Sequence, residues 1–167
     1  MGVVTTKSTR VSNADAAPRI MDMPNVNHGK IRRVTGTLEA VSGDSIASIY
    51  RLVRVHSSWS IVSIRLYCDA ITTCAGDIGL YRVSGEASGV VVAVAAYASA
   101  QSLATAITEG TNVAFEARDV IKAGNAVYQD AGLTTDPNLW YDLAITLTAA
   151  AGSAGSIVLD VAYVGNE

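Results

Sequence analysis

Apolar and polar residues alternate with period two over much of this chain, the signature of strands with one buried and one wet face. VTGTLEAV (34–41) puts Val34, Gly36, Leu38 and Ala40 on one face and Thr35, Thr37 and Glu39 on the other. SIYRLVRV (48–55) sets Tyr50 and Leu52 opposite Arg51 and Val53. SIVSIRLYCD (60–69) points Val62, Ile64, Leu66 and Cys68 inward, with Ser63, Arg65, Tyr67 and Asp69 outward. GDIGLYRV (76–83) turns Ile78 and Leu80 inward, and VVVAV (90–94) reads as a short buried strand. NAVYQDA (125–131) is another short strand.

The C-terminus alternates most regularly. LWYDLAITLTA (139–149) sets Tyr141, Leu143, Ile145 and Leu147 against Trp140, Asp142, Ala144 and Thr146. SIVLDVAYVG (156–165) sets Ile157, Leu159, Val161 and Tyr163 against Val158, Asp160 and Ala162. With AAGSAGS (150–156) as a flexible tip, these two segments are expected to form a long antiparallel hairpin.

Two regions depart from the rhythm. Residues 95–109 are Ala-rich, with Leu103 and Ile107 four apart, which predicts a helix ended by Gly110. A helical turn is expected over residues 117–122. Residues 1–33 show no sustained period, and Pro18 and Pro24 interrupt both helix and central strand. They read as an extended arm, with one short strand at residues 2–6.

About eight short strands with turns at roughly 8–12-residue spacing favour two packed sheets. The expected fold is mainly β: an antiparallel β-sandwich, jelly-roll-like, with one short helix and an extended N-terminal arm. The expected division is 1–33 for the arm and 34–167 for the β-sandwich body. A chain of 167 residues supports one such domain with a real core.

Charge sharpens the division. The net charge is −3. Residues 1–33 hold Lys7, Arg10, Arg19, Lys30, Arg32 and Arg33 against Asp15 and Asp22, 6 − 2 = +4, leaving −3 − 4 = −7 for the rest. A basic arm on an acidic body points to an acidic partner: another copy's body, a neighbouring protein or nucleic acid. The plainer alternative is that these charges keep a terminus solvated. The acidic body argues against nucleic acid, which wants a basic face with exposed aromatics.

Chemistry is sparse. His28 and His56 are isolated in sequence, with no HxH or HExxH spacing. His56 adjoins Ser57 and Ser58, but a hydrolytic triad also needs an orienting acid, and a polar turn explains them as well. Cys68 and Cys74 are too few for a zinc site; they either meet across a hairpin or are buried thiols of a protein made in a reducing cytoplasm. Asp69 and Asp77 could share a hard cation or be solvated turn residues. AGSAGS lacks the Lys and following helix of a phosphate loop. The opening MGVVTT formally fits a myristoylation pattern too loose to weigh, and neither a signal peptide nor a membrane span is expected. No catalytic residue, metal ligand or cofactor site emerges. The two tryptophans, Trp59 in a turn and Trp140 opposite Leu143 and Ile145, are candidate contact residues. Trp140 could equally lie in the second sheet's core.

The opening VVTTKSTRVSNADAAPR, the middle ITTCAGDIGLYRVSGEASG, the segment YASAQSLATAI and the close from AGNAVYQDAGLTTDPNLWYDLAITLTAAAGSAGSIVLDVAYVG resemble small virion structural proteins of tailed bacteriophages. The resemblance spans most of the chain and lies in phrasing, not in a catalytic motif. It implies a capsid decoration or cement protein, non-enzymatic, with a β-sandwich or jelly-roll fold. It implies the major capsid protein as partner, self-association as dimer or trimer, and a place on the capsid exterior after synthesis in the bacterial cytoplasm. The candidate interface is then Lys7, Arg10, Arg19, Lys30, Arg32, Arg33, Trp59 and Trp140. The alternative is a tail, baseplate or receptor-binding (glycan-binding) module, and behind it a carbohydrate-binding module outside any virion.

Overall fold

A computed structural model of the chain describes residues 6–21, 29–83 and 91–165. Eight strands carry the body: β1 (Ile31–Ala40), β2 (Ile49–His56), β3 (Ser60–Cys68), β4 (Ala75–Arg82), β5 (Val91–Ser102), β6 (Ile107–Asn112), β7 (Trp140–Ala149) and β8 (Gly155–Val164). They form two four-stranded sheets, ordered β1-β8-β3-β6 and β2-β7-β4-β5, with every pairing antiparallel. First pairs with last, second with seventh, third with sixth, fourth with fifth. This is a strip of four nested pairs rolled into a sandwich, the jelly-roll architecture.

The facing sides of the sheets make the core. Ile64, Leu66, Ile78, Leu80, Leu143, Ile145, Leu147, Ile157 and Leu159 are buried there. Each such side chain contributes about 1.5–3 kcal/mol relative to exposure. The predicted inward faces of β7 and β8 match: Tyr141, Leu143, Ile145 and Leu147, and Ile157, Leu159, Val161 and Tyr163, are all buried.

β7 and β8 do not pair with each other. They are central strands of different sheets, and residues 150–154 cross between the sheets instead of forming a hairpin tip. Ala151 is buried at that crossing, its N–H bonded to the Asp44 carbonyl and its own carbonyl accepting from Gly43 N–H. Gly152 N–H bonds to the Thr72 carbonyl beside it.

The helix expected over 95–109 is absent. The segment completes β5, turns at residues 103–106 and enters β6. Pairing with β4 overrides the helix propensity of its alanines. Residues 125–131 are not a strand either. Only Ala126 bridges to Ser60, and α2 (Val127–Asp130) follows, with Gln129 Oε1 accepting from Ala126 N–H at 2.9 Å. Within 117–122 the helical turn is a 3-10 turn, Val120–Lys122, capped by Asp119.

Bulges shift two predicted faces. A register break between Ile61 and Ser63 buries Ile61 and leaves Val62 44% exposed. A break between Arg51 and Val53 turns Val53 and Val55 inward and leaves Leu52 half-buried. One extra residue inverts the parity of the positions beyond it. The Leu52 bulge approaches β1 at Gly36, where a Cβ would overlap the Leu52 carbonyl oxygen.

β1 begins at Ile31, three residues before the strand expected from Val34, so Arg32 and Arg33 belong to the sheet. Upstream, α1 (Thr9–Ala14) is a short helix inside the segment expected to be extended; the Ser8 hydroxyl accepts from Val11 N–H. The strand expected at 2–6 falls, except for Thr6, outside the described residues.

Candidate interface

The sandwich has two poles. At one, which we call the arm pole, the start of β1, the end of β8 and the start of β3 lie side by side, Ile31 opposite Val164 and Val164 opposite Ser60. The end of β2 meets the start of β7 there, His56 opposite Trp140. Residues 113–139 pack onto this end: Ser60 Oγ donates to the carbonyls of Gly124 (2.8 Å) and Asn125 (2.9 Å), and Ser57 Oγ donates to Asp136 at 2.5 Å.

The predicted interface residues distribute around this pole. Lys7 pairs with Asp15 at 2.8 Å across α1, both side chains more than half exposed, so the pair adds at most about 1 kcal/mol. Arg10 lines a groove of about 330 Å³ together with Ile61, Val62, Phe115, Gly124 and Val164. Arg19 Nε donates to the Ala14 carbonyl at 3.1 Å. Lys30 is exposed just before β1, and Arg32 is exposed on it. Arg33 Nε donates to Asp160 on the outer face of β8, and that carboxylate holds the guanidinium even more firmly protonated. Trp59 is core, only 7% exposed, stacked on Tyr163 with ring centres 3.8 Å apart and planes 10° from parallel. Trp140 is 42% exposed; its indole stands edge-on to Trp59 at 5.4 Å and to His56 at 4.9 Å. His56 Nδ1 accepts from Ser58 N–H at 3.3 Å, so this histidine is tied into its own turn.

Three features of the site went unread in the sequence. The first is a pair of adjacent aliphatic side chains, Val120 and Ile121, 78% and 83% exposed on the 3-10 turn. Ile31 is also largely exposed at this pole.

The second is what holds that turn. Arg118 and Asp130, each with a side chain 1% exposed, form a two-pronged ion pair, Nε to Oδ1 at 3.0 Å and Nη2 to Oδ2 at 2.9 Å. Arg118 Nη2 also donates to the Lys122 carbonyl at 2.8 Å, pinning the end of the turn. Tyr97 on β5 donates its O–H to Asp130 at 3.1 Å. The guanidinium lies over the rings of Phe115 and Tyr97, at 5.1 and 5.7 Å. Burial pushes the Asp130 carboxyl above the usual carboxylate range, opposed by Arg118 and the Tyr97 hydroxyl. Arg118 Nη1 is buried without a hydrogen-bond partner.

The third is charge segregation. The opposite pole is built from residues 36–50, 66–80, 98–112 and 144–158, which carry Glu39, Asp44, Asp69, Asp77 and Glu109 and no Lys or Arg. At the arm pole stand Lys30, Arg32, Arg33, Arg54, Arg82 and Lys122 with Glu116, Asp119, Asp136, Asp142 and Asp160; Arg33 is paired with Asp160 and Arg54 with Asp142, while Asp130 is engaged by Arg118. Mid-strand charges pair locally: Asp142 accepts from Arg51 (3.0 Å) and Arg54 (2.9 Å).

Cys68 and Cys74 are free, buried thiols, and burial raises both above the ordinary thiol range. Asp69 and Asp77 do not converge: Asp69 accepts from Ser156 N–H and Asp77 from Ala100 N–H. Among the described residues no group of three or more His, Cys, Asp or Glu could hold a metal, and no helix is long and apolar enough to cross a membrane.

No protein-family model matches the chain, and no curated protein is detectably similar to it in sequence. Solved structures share its shape. A chain of the cyanophage Pam1 capsid asymmetric unit superposes with a TM-score of 0.54 at 14% identity, over 90% of this chain and 96% of that one. A chain of the capsid of Ralstonia phage GP4 aligns over 90% of this chain and 93% of its own, with a TM-score of 0.45 and 18% identity. At such identity, what this chain shares with the cyanophage Pam1 capsid chain is the fold.

Proposed function

We propose that this chain is a non-enzymatic structural protein of a tailed-phage particle, which decorates and stabilises the capsid by binding the major capsid protein. The N-terminal arm makes contacts between subunits, and the protein sits on the capsid exterior. The observation that carries this reading is the full-length likeness to a chain of the cyanophage Pam1 capsid asymmetric unit, 90% of one chain on 96% of the other. The arm pole supports it. Val120, Ile121 and Ile31 are large apolar side chains held in solvent beside a basic arm, and rigid exposed apolar groups with a polar rim mark contact surfaces. The phrase-level resemblance to small virion proteins points the same way.

The test is co-sedimentation of the purified protein with undecorated phage heads, beside a truncation starting at Lys30, which leaves β1 whole. Binding by the full chain that is lost on truncation is the expected result. A folded truncation that binds as well as the full chain overturns the role of the arm. Absence of binding by both overturns capsid decoration.

Trp140 favours a second reading. An indole 42% exposed and edge-on to His56 could stack on a sugar, as a receptor-binding module of the particle would require. Glycan-array binding abolished by Trp140→Ala would establish it.

A further inference from the structure

We infer that a small cavity at the acidic pole, on the outer side of the β1-β8-β3-β6 sheet, binds an alkylammonium or alkylguanidinium group. This goes beyond capsid decoration and does not depend on it.

The cavity has a volume of about 230 Å³ and is lined by Tyr67 and Asp69 at the end of β3, Ile107 and Thr108 at the start of β6, and Ser156 and Val158 at the start of β8. That is room for one short chain, below the size of a pocket for a drug-sized ligand. The strand order brings the three segments together: Tyr67 stands opposite Val158, and Cys68 opposite Ile107. The Tyr67 ring lies against the backbone of β6 at Gly110, where a Cβ would come within 2.5 Å of it. Gly110 also has φ +77°, the left-handed region that glycine enters without strain. The ring therefore rests on the strand and forms one side of the cavity.

The polar groups are carboxylates held by neutral donors. Asp69 Oδ2 accepts from Ser156 N–H at 2.9 Å, and Ser156 Oγ donates to Glu39 Oε2 at 2.7 Å. The segments that build this pole carry five carboxylates and no Lys or Arg. Arg65 lies four residues before Asp69 on β3, beside Asp160, the carboxylate that Arg33 binds. Those four residues span roughly 14 Å of extended strand, beyond the screening length of about 8 Å at physiological ionic strength. Arg65 therefore does little to offset Asp69.

Ring, apolar strip and carboxylate together match one kind of group. An ammonium or guanidinium is attracted to the face of a tyrosine. Its alkyl stem lies on apolar surface, here Ile107 and Val158. Its charged head reaches a carboxylate through a charge-assisted hydrogen bond, here Asp69. A neutral sugar could also stack on the ring, but it needs donors as well as acceptors, and the Ser156 hydroxyl proton is already given to Glu39.

The experiment uses the full chain alone, isotope-labelled, without capsids, so that its failure is separate from failure of head binding. Amide shifts are followed by nuclear magnetic resonance during titration with n-butylammonium chloride, with butanol as the neutral isostere and methyl glucoside as the sugar, all at one ionic strength. The expected result is saturable shifts confined to the amides around Tyr67, Asp69, Thr108 and Ser156. A Kd of about 1–10 mM is what so few non-hydrogen atoms can supply. Asp69→Asn keeps an acceptor for Ser156 N–H and should weaken binding about tenfold, since only the charge is lost. Tyr67→Leu should weaken it about threefold. Two further probes distinguish the sources of such a cation: tighter binding of putrescine points to a free polyamine, and tighter binding of N-acetyl-arginine amide points to a side chain of a partner protein. Butanol binding as well as butylammonium, methyl glucoside moving the same amides at lower concentration, Asp69→Asn binding like the parent, or no localised saturable shift by ~50 mM would each overturn the inference.

Discussion

Replacing Asp130 with Asn leaves the Arg118 guanidinium charged, 1% exposed and without its counter-ion, in a site where Nη1 already lacks a partner. Removing one member of a buried ion pair costs about 3–5 kcal/mol, because the remaining charge keeps its desolvation penalty and loses its attraction. Against a total stability of about 5–15 kcal/mol, that is a large fraction. For a domain of this size each kcal/mol shifts Tm by roughly 2–4 °C, so Asp130→Asn should melt about 6–20 °C below the parent. The double variant Arg118→Met with Asp130→Leu removes both charges and keeps much of the volume. It should regain most of the loss, since apolar replacement of a whole buried pair is often neutral or stabilising. The assay is urea unfolding of the parent, Asp130→Asn, the single variants Arg118→Met and Asp130→Leu, and their double variant, read by fluorescence, the last three and the parent analysed as a double-mutant cycle. Limited proteolysis across residues 119–124 reports whether the 3-10 turn has come loose. A loss below about 1 kcal/mol for Asp130→Asn, or a double variant no better than the single, would refute the claim that this pair fastens the turn to the sandwich.

Two other outcomes come from the packing. Gly36→Ala places a Cβ against the Leu52 carbonyl oxygen, backbone that cannot swing aside, so a loss of about 1–3 kcal/mol is expected in urea unfolding; unchanged stability would mean the β1–β2 seam is loose. Burial holds the phenols of Tyr50, Tyr97 and Tyr141 above the ordinary value of 10.0. A group whose folded pKa is raised supplies stability that is complete below its unfolded pKa and lost as pH rises through the folded value. Stability should therefore fall from about pH 10 upward, with the last tyrosinate absorbance appearing together with loss of near-ultraviolet circular dichroism. Full ionisation of all seven tyrosines in a protein that keeps its near-ultraviolet spectrum would contradict that burial.

The inward faces of β7 and β8 were legible because their alternation runs unbroken from Tyr141 to Leu147 and from Ile157 to Tyr163. The extra residues on the ladders beside them, Leu52 and Val62, belong to the partner strands β2 and β3. Their partners were not legible. Apolar alternation says that a strand has a buried face, and nothing about which sheet it joins, so the Gly- and Ala-rich link at 150–154 passed for a turn. Val62 was misplaced because the bulge beside Ile61 leaves no mark in residue type. Residues 95–109 read as helix because alanine favours helices locally, and only the β4 edge makes them strand. The basic character of the arm could be counted directly. Arg118 and Asp130 could not be paired from sequence: they lie twelve residues apart in an aperiodic segment, where charges ordinarily face water. The acidic pole needed the strand order before the stretches without cations could be seen to coincide in space.

The nested pairing also fixes when the molecule can form. Ile31 pairs with Val164, and β8 is the strand between β1 and β3. Before β8 is synthesised, β4 and β5 can zip together, but β1 has no neighbour in its own sheet and waits beside a gap. At roughly 5–20 residues per second that wait lasts many seconds, with an open edge ten residues long. Closure joins segments more than a hundred residues apart, the slow class of folding reactions. Closure of the sheet thus waits on the synthesis of β8, and conditions that delay that synthesis should favour aggregation of the unfinished chain over its slow recovery.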